Sequence, residues 1–269
     1  MTPPIALSIA GSDSGGGAGA QADLRTFAAL GVLGTTALTC VTAQNTVEVR
    51  ALYALPPGFV REQVEAVIDD MAVTGAKTGL LATEGTVKEV AALAPRLPPL
   101  VVDPVLVAST GRPLAEEAVA RAYRDDLLPL CAVVTPNLAE AARLLGREAP
   151  ASGGARYARE AARRLGELAP VVVVKGGHLA DPHLAVDVVW DGTGLTELSR
   201  PRVPTANTHG SGCSFSAAIA AGMARSLGAR EAIEKANAFV HIAIQGGAGW
   251  RVGAGPGPLD HFGWEEDQP

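Results

Sequence analysis

Ile5-Ala-Leu-Ser-Ile-Ala10 runs directly into Gly11-Ser-Asp-Ser-Gly-Gly-Gly-Ala-Gly-Ala-Gln-Ala-Asp23. An apolar run of strand length, a glycine-rich turn and the start of a helical pattern form one β-turn-α unit. The predicted helix covers Gln21–Leu30, with Leu24, Phe27, Ala28 and Leu30 on one face. The same alternation continues along the chain. Strands are predicted at Ala37–Ala43, Ala76–Leu81, Leu100–Val105, Ala132–Thr135 and Val171–Lys175. Helices are predicted between and beyond them at Gly58–Met71, Thr86–Leu93, Leu114–Leu128, Leu138–Leu145, Arg156–Leu168, Cys213–Ser226 and Arg230–Ile244. Strand–helix repetition of this kind implies an α/β fold, a mostly parallel sheet covered by helices on both faces. Ala185–Trp190 and Leu195–Leu198 read as an antiparallel pair across the turn Asp191-Gly-Thr-Gly194, and Val49–Leu55 as small lid strands. Gly146–Gly154 and Gly246–Pro258 read as loops, so a single domain over residues 1–269 is expected.

Composition narrows the class. The chain has 31 glycines, 19 prolines, 48% hydrophobic residues and 4% aromatic ones, which excludes disorder and leaves Ala, Val, Leu and Ile to build the core. A net charge of −6 without a basic run argues against nucleic-acid binding through phosphates. An anionic substrate must then be met by local cations or backbone N–H groups, and Lys77, Lys88, Lys175 and Lys235 are the only lysines. Cys40, Cys131 and Cys213 are an odd, widely spaced set, which implies neither a disulfide framework nor a CxxC metal site. The N-terminus has no positively charged leader and no apolar run reaches membrane-spanning length, so no membrane partner and a cytoplasmic location are expected.

In sheets of this kind ligands gather beyond the carboxyl ends of the strands. The Gly11–Asp23 turn stands at one such end, and Asp23 is available there to contact a small ligand. Gly15, Gly17 and Ala20 match the dinucleotide pattern, but the next strand ends at Gln44, where a ribose-binding acid would be needed. A plain tight turn is the alternative. Asn207-Thr-His-Gly-Ser-Gly-Cys213 opens an alanine-rich helix, so the Gly210, Ser211 and Gly212 amides can wrap an anion. The field of that helix is expected to lower the thiol pKa of Cys213 and make it a base or nucleophile. In Thr135-Pro-Asn-Leu-Ala-Glu140, Asn137 and Glu140 share a face. That pair suits either a hydrated Mg²⁺ beside phosphates or an ordinary capping box. Lys175 closes the apolar run Val171-Val-Val-Val and can neutralise a phosphate. Asp103 closes another buried strand, where an unpaired carboxylate would be costly, and is a candidate metal or water ligand. The histidines show no metal-ligand spacing.

Together these residues resemble the hydroxymethylpyrimidine/phosphomethylpyrimidine kinases of thiamine biosynthesis, in the ribokinase superfamily. The resemblance runs from Ala10 to Phe262. Its most specific pieces are Gly15–Leu24, Val41-Thr-Ala-Gln-Asn-Thr46, Thr135–Ala141, Val174-Lys-Gly-Gly-His178 and Asn207–Cys213. It implies a ribokinase-like fold and an ATP-dependent kinase that phosphorylates an aminopyrimidine hydroxymethyl group and then the resulting monophosphate. Cys213 stands where other ribokinase relatives carry an Asp base, with Gly210, Ser211 and Gly212 as the anion hole. The resemblance assigns Gly11, Asp23, Thr42, Gln44 and Leu80 to the substrate. It assigns Asn137, Glu140, Lys175 and Thr208 to ATP, and Asp103 with Glu140 to Mg²⁺. Relatives are often dimers, so a homodimer is the implied assembly.

Four positions depart from the family pattern. Thr42 stands where relatives often carry Val, and its added hydroxyl needs a partner. Leu80 replaces a frequent Met, Asn237 a frequent Lys, and Asp260 one histidine of the usual tail. A pyridoxal kinase is the nearest rival, since both substrates are flat heteroaromatic rings with a hydroxymethyl group. The Gln44 carboxamide, donor and acceptor at once, favours the aminopyrimidine. A non-catalytic vitamin or nucleotide sensor would be expected to lack Cys213, Lys175 or Glu140, and all three are present.

Overall fold

The computed structural model describes residues 2–107, 116–148, 154–177 and 183–263. Its strands are β1 (Ile5–Asp13), β2 (Leu33–Gln44), β3 (Val49–Ala54), β4 (Gly75–Thr78), β5 (Leu100–Val102), β6 (Val133–Val134), β7 (Val172–Val174), β8 (Leu184–Trp190) and β9 (Leu195–Pro201). The helices are α1 (Gly19–Ala29), α2 (Pro57–Ile68), α3 (Glu84–Leu93), α4 (Glu117–Ala122), α5 (Leu138–Leu144), α6 (Gly154–Leu165), α7 (Ser211–Ala224) and α8 (Ala229–Gly247). All nine strands form one sheet in the order β3-β2-β1-β4-β5-β6-β7-β8-β9. The six central strands, β2, β1, β4, β5, β6 and β7, are parallel, and β3, β8 and β9 add antiparallel edges.

The period-two alternation of the strands divides the core in two. Leu7, Ile9, Leu100, Val102, Val134, Val172 and Val174 pack on the face covered by α2 to α6. Ala6, Val101, Val133 and Val173 face the other way, onto α1, α7 and α8. This explains why the short central strands are apolar at every position, as a sheet covered on both sides requires. The chain leaves β1 for β2 and β3 and then returns to β4 on the opposite side of β1. The strand order therefore reverses at β1 and β4, and a crevice opens beyond their carboxyl ends.

Several elements differ from the sequence expectation. Strand β1 continues through Asp13, with an irregularity between Ala10 and Ser12, and pairs Asp13 with Thr42. The first residues of the glycine-rich turn are therefore strand, and with β2 and β3 they build the lid edge. Helix α1 turns Ala22, Asp23, Thr26 and Phe27 inward and leaves Leu24 exposed, because Asp23 has a buried partner. Helix α2 ends at Ile68, so Met71 lies beyond it and is exposed. Strand β4 stops at Thr78, and α7 begins two residues before the expected Cys213. The expected helix Leu114–Leu128 begins outside the described residues. The part that is described consists of α4, a π-helical turn over Tyr123–Leu127 and a 3-10 turn over Leu128–Leu130.

That π turn carries the fully buried Tyr123 under the end of β4, where its hydroxyl donates to the Gly79 carbonyl at 3.1 Å. Tyr123→Phe strands this carbonyl in an apolar setting. The variant is expected to lose about 1–2 kcal/mol of stability, read as a lower urea midpoint at unchanged slope.

Candidate active site

The crevice is headed by α7. Gly210 is its N-cap at φ +86°, a left-handed conformation, and a Cβ there would stand 2.0 Å from the Gly17 carbonyl oxygen. Only glycine allows the two motifs to touch backbone to backbone. The Ser211 N–H is used locally, donating to the Thr208 carbonyl, and Ser214 makes the first full helical bond, to the Gly210 carbonyl. The Gly212 and Cys213 amides thus head the helix without an intrahelical acceptor, as an anion hole requires.

Opposite them lies a cluster of charges. Lys175, just past β7, donates from Nζ to Asp103 Oδ1 at 2.7 Å, and Asp103 is 1% exposed. Thr135 and Ser216 hydroxyls lie 3.4 Å from the two Asp103 oxygens. A Cβ on Gly212 would stand 3.0 Å from Lys175 Nζ, so this ammonium sits against the head of α7. Burial pulls the Lys175 pKa down, but Asp103 and Glu140 outweigh it and hold the ammonium above its ordinary range. Glu140 is pushed up to about 7, chiefly by burial, while Lys175 opposes the rise. Its carboxylate also closes a capping box on the Asn137 N–H at 2.8 Å, and Asn137 Oδ1 accepts from the Glu140 N–H at 2.9 Å. Capping and charge placement are thus carried by the same two residues. The cap occupies Asn137 Oδ1 and leaves its amide nitrogen for a ligand.

Cys213 corrects an expectation. Its thiol is pushed up to about 11, first by burial, with Asp23 and Asp103 adding to the rise. Lys77 and the Gly19 N–H pull the other way without prevailing. The helix field therefore does not make Cys213 a resting thiolate. Asp23 is a second correction. It is fully buried and accepts from Lys77 Nζ at 2.8 and 2.9 Å and from the Ser8 hydroxyl at 2.6 Å. Its carboxylate has no exposed surface in this structure. Burial disfavours charge on Lys77, and Asp23 foremost among its neighbours holds that ammonium above its ordinary range.

The other expected substrate residues lie around the β1, β2 and β4 ends. Gly11 is buried beside the Cys40 sulfur and the Leu80 side chain. Thr42 gains the partner its hydroxyl needs, donating to the Ser12 carbonyl at 3.0 Å. Gln44 is half-buried, with its carboxamide 3.3 Å from both the Thr42 hydroxyl and His209 Nε2. Thr208 is exposed at the mouth. Asn237 is committed elsewhere, bridging Arg200 and Asp187, and Lys235 pairs with Glu231. His178 lies outside the described residues.

Sequence reasoning missed Lys77, Asp13, His209 and the C-terminal strap. A lysine inside the apolar β4 was the available signal, since a buried ammonium demands a counter-charge. The strap is formed by residues after α8. The Asn207 side chain donates to the Gly247 and Trp250 carbonyls and accepts from the Gly257 N–H, and His209 N–H donates to the Gly257 carbonyl. Asp260, in place of the family's histidine, accepts from the Phe262 and Gly263 amides.

The sequence model of the family described as phosphomethylpyrimidine kinase matches residues 13–260. A hydroxymethylpyrimidine/phosphomethylpyrimidine kinase of Rhizobium meliloti is 46% identical, over 96% of this chain and 97% of its own length. Bacillus subtilis pyridoxal kinase, solved as an ADP complex, superposes with a TM-score of 0.88 at 36% identity over 97% of this chain and 98% of its own. The phosphomethylpyrimidine kinase of Clostridium difficile 630 gives 0.77 at 31% identity, over 89% and 99%.

The Asp23–Lys77 pair makes a stability prediction. Asp23→Leu leaves a buried ammonium without a counter-charge and is expected to cost about 3–5 kcal/mol. Adding Lys77→Met removes that charge and is expected to recover part of the loss. Urea unfolding of the single and double variants checks this; strictly additive losses would mean the two residues are not coupled.

Proposed function

The chain belongs to the phosphomethylpyrimidine kinase family, and from that premise we propose how its residues divide the work of an ATP-dependent phosphotransferase. The reaction is phosphorylation of 4-amino-5-hydroxymethyl-2-methylpyrimidine, followed by phosphorylation of its monophosphate to the pyrophosphate, within thiamine biosynthesis. One observation carries the reading: a lysine ammonium tied to a buried aspartate and seated against the open amides of a helix N-terminus. Such a place suits the transferring phosphoryl group, whose chemistry is mostly positioning and charge neutralisation.

The substrate hydroxymethyl oxygen attacks the γ-phosphorus, the bond to the β,γ-bridging oxygen breaks, and ADP leaves with that electron pair. Lys175 and the Gly212 and Cys213 amides meet the charge, since the Ser211 N–H is already given to the Thr208 carbonyl. Asn137, Glu140, Lys175 and Thr208 hold the nucleotide. Gly11, Thr42, Gln44 and Leu80 hold the pyrimidine. Asp23 acts from beneath, through Lys77, rather than by touching the substrate.

The donor set fits Mg²⁺ bound with the nucleotide. Among the described residues no group of three or more acidic, His or Cys side chains could cage a metal alone. Asp103 and Glu140 would supply two hard carboxylate ligands, with water and the nucleotide supplying the others. When bound, the ion would offset phosphate charge. The proposal also includes a homodimer, which rests on the family resemblance, and a single domain and a cytoplasmic location, which rest on the reading of the sequence pattern. Among the described residues no helix is long and apolar enough to cross a membrane.

Cys213 takes the hydroxyl proton in this scheme. A loose transition state releases that proton late, so a small thiolate fraction can serve. Because the thiol is held near 11, the reactive form grows as pH rises. Turnover is expected to climb about tenfold per pH unit between pH 7 and 9, and Cys213→Ala to flatten that slope while ATP still binds. A flat wild-type profile would remove Cys213 from proton transfer.

The substrate is tested by mass spectrometry after incubation with Mg-ATP and either the hydroxymethylpyrimidine, its monophosphate or pyridoxal. Mono- and diphosphates of the pyrimidine are expected. Pyridoxal phosphate alone would transfer the assignment to the pyridoxal kinases that share the fold. No phosphorylated product from any of the three would sink the proposed substrate.

A further inference from the structure

His209 lies between the two motifs. A Cβ on Gly17 would come within 2.4 Å of His209 Cδ2, so the missing side chain at Gly17 is what admits the ring. His209 Nε2 lies 3.1 Å from Asp13 Oδ2 and 3.3 Å from the Gln44 carboxamide. Asp13 also accepts from the Gly15 N–H at 2.8 Å and the Ala18 N–H at 2.9 Å. Burial raises the Asp13 pKa, but His209 and these two amides outweigh it and keep the carboxyl below its usual range. Asp13 is therefore an acceptor only, and the His209 nitrogen facing it must carry a proton.

This proton fixes the orientation of Gln44. A donating Nε2 cannot also accept from an amide NH₂ group. The same conflict arises at the other end of the carboxamide. Thr42 has one hydroxyl proton, which goes to the nearer Ser12 carbonyl at 3.0 Å, so its oxygen presents a lone pair to the Gln44 carboxamide at 3.3 Å. One amide orientation relieves both conflicts: Gln44 Oε1 turns to the Nε2–H of His209 as its second, longer acceptor beside Asp13 Oδ2, and Gln44 Nε2 donates to the Thr42 hydroxyl. The two orientations of a carboxamide have nearly the same shape, so its hydrogen-bond partners decide between them.

We propose that His209, set as a donor by Asp13, acts with Thr42 to lock the Gln44 carboxamide in one orientation and so determines which heteroaromatic edge the site accepts. The inference rests on the reading of Gln44 as the group that meets the pyrimidine. In the locked state Oε1 keeps a lone pair and Nε2 keeps one N–H for the substrate. A 4-aminopyrimidine offers the complement, an amine N–H beside a ring-nitrogen acceptor. Its 4-oxo counterpart has the same outline with donor and acceptor exchanged. A free amide would rotate to take either ring, whereas a locked one leaves the oxo ring mismatched at both positions. His209 is a positioning residue in this scheme.

The experiment measures kcat/KM for 4-amino-5-hydroxymethyl-2-methylpyrimidine and for its 4-oxo analogue, and takes their ratio. General damage to the site lowers both values and leaves the ratio alone, so the ratio reads the lock. The wild type is expected to favour the amino substrate by about a hundredfold or more. His209→Phe, which keeps a ring but loses the donor, is expected to lower the ratio at least about tenfold. His209→Gln places an N–H near the position of Nε2 and is expected to bring the ratio back to within about threefold of wild type. An unchanged ratio in His209→Phe, with discrimination abolished in Gln44→Leu, would overturn the lock alone. An unchanged ratio in Gln44→Leu would instead overturn the reading of Gln44 beneath it. If His209→Phe does not fold, Thr42→Val tests the lock from its other end. The ratio is then expected to drop about threefold, and no change would overturn the proposal.

Discussion

The buried contact of Lys77 with Asp23 and Ser8 is the constraint on which the site depends. It joins β4, α1 and β1 under the point where the strand order reverses. Charge is expensive there, and each group is tolerable only because the other is within hydrogen-bond distance. The pair therefore fixes the rotation of α1, turning Asp23 inward and Leu24 out to solvent. It also brings the Lys77 ammonium within electrostatic reach of Cys213. Contributions from Asp23, Asp103 and Lys77 all reach that thiol, so the pair sets the electrostatic floor of the crevice.

Above this floor the arrangement separates two tasks. One group, Asp103, Glu140 and Lys175 with the head of α7, is a cluster of buried charges against open backbone amides. The other, Thr42, Gln44, His209 and Asp13, is organised around directional hydrogen bonds. The contact between Gly17 and Gly210 couples them, because it holds the first glycine motif against the second. The C-terminal strap then fixes the second motif through Asn207 and the His209 amide. Residues distant in sequence thus share one rigid mount, as preorganised electrostatics requires.

Much of this was legible in the chain. The α/β order followed from short apolar runs such as Val171–Val174 set between helical patterns, and strand ends pointed to Asp103 and Lys175. The capping box at Asn137 and Glu140 was readable because its spacing is local. Local spacing could not reveal that Asp23 faces Lys77, since 54 residues separate them. It also placed the thiol pKa of Cys213 on the wrong side, because a helix field is visible in sequence and the depth of burial is not. Strand lengths shifted for a similar reason: β1 continues past Ala10 only because β2 is there to pair with it.

The elevated thiol pKa of Cys213 has a chemical consequence apart from phosphoryl transfer. Peroxides and alkylating agents attack the thiolate, and a thiol held near 11 is almost entirely protonated at neutral pH. Cys40 and Cys131 are buried, and burial raises their pKa values as well. A sulfur in this setting thus offers oxidants and alkylating agents little thiolate at neutral pH.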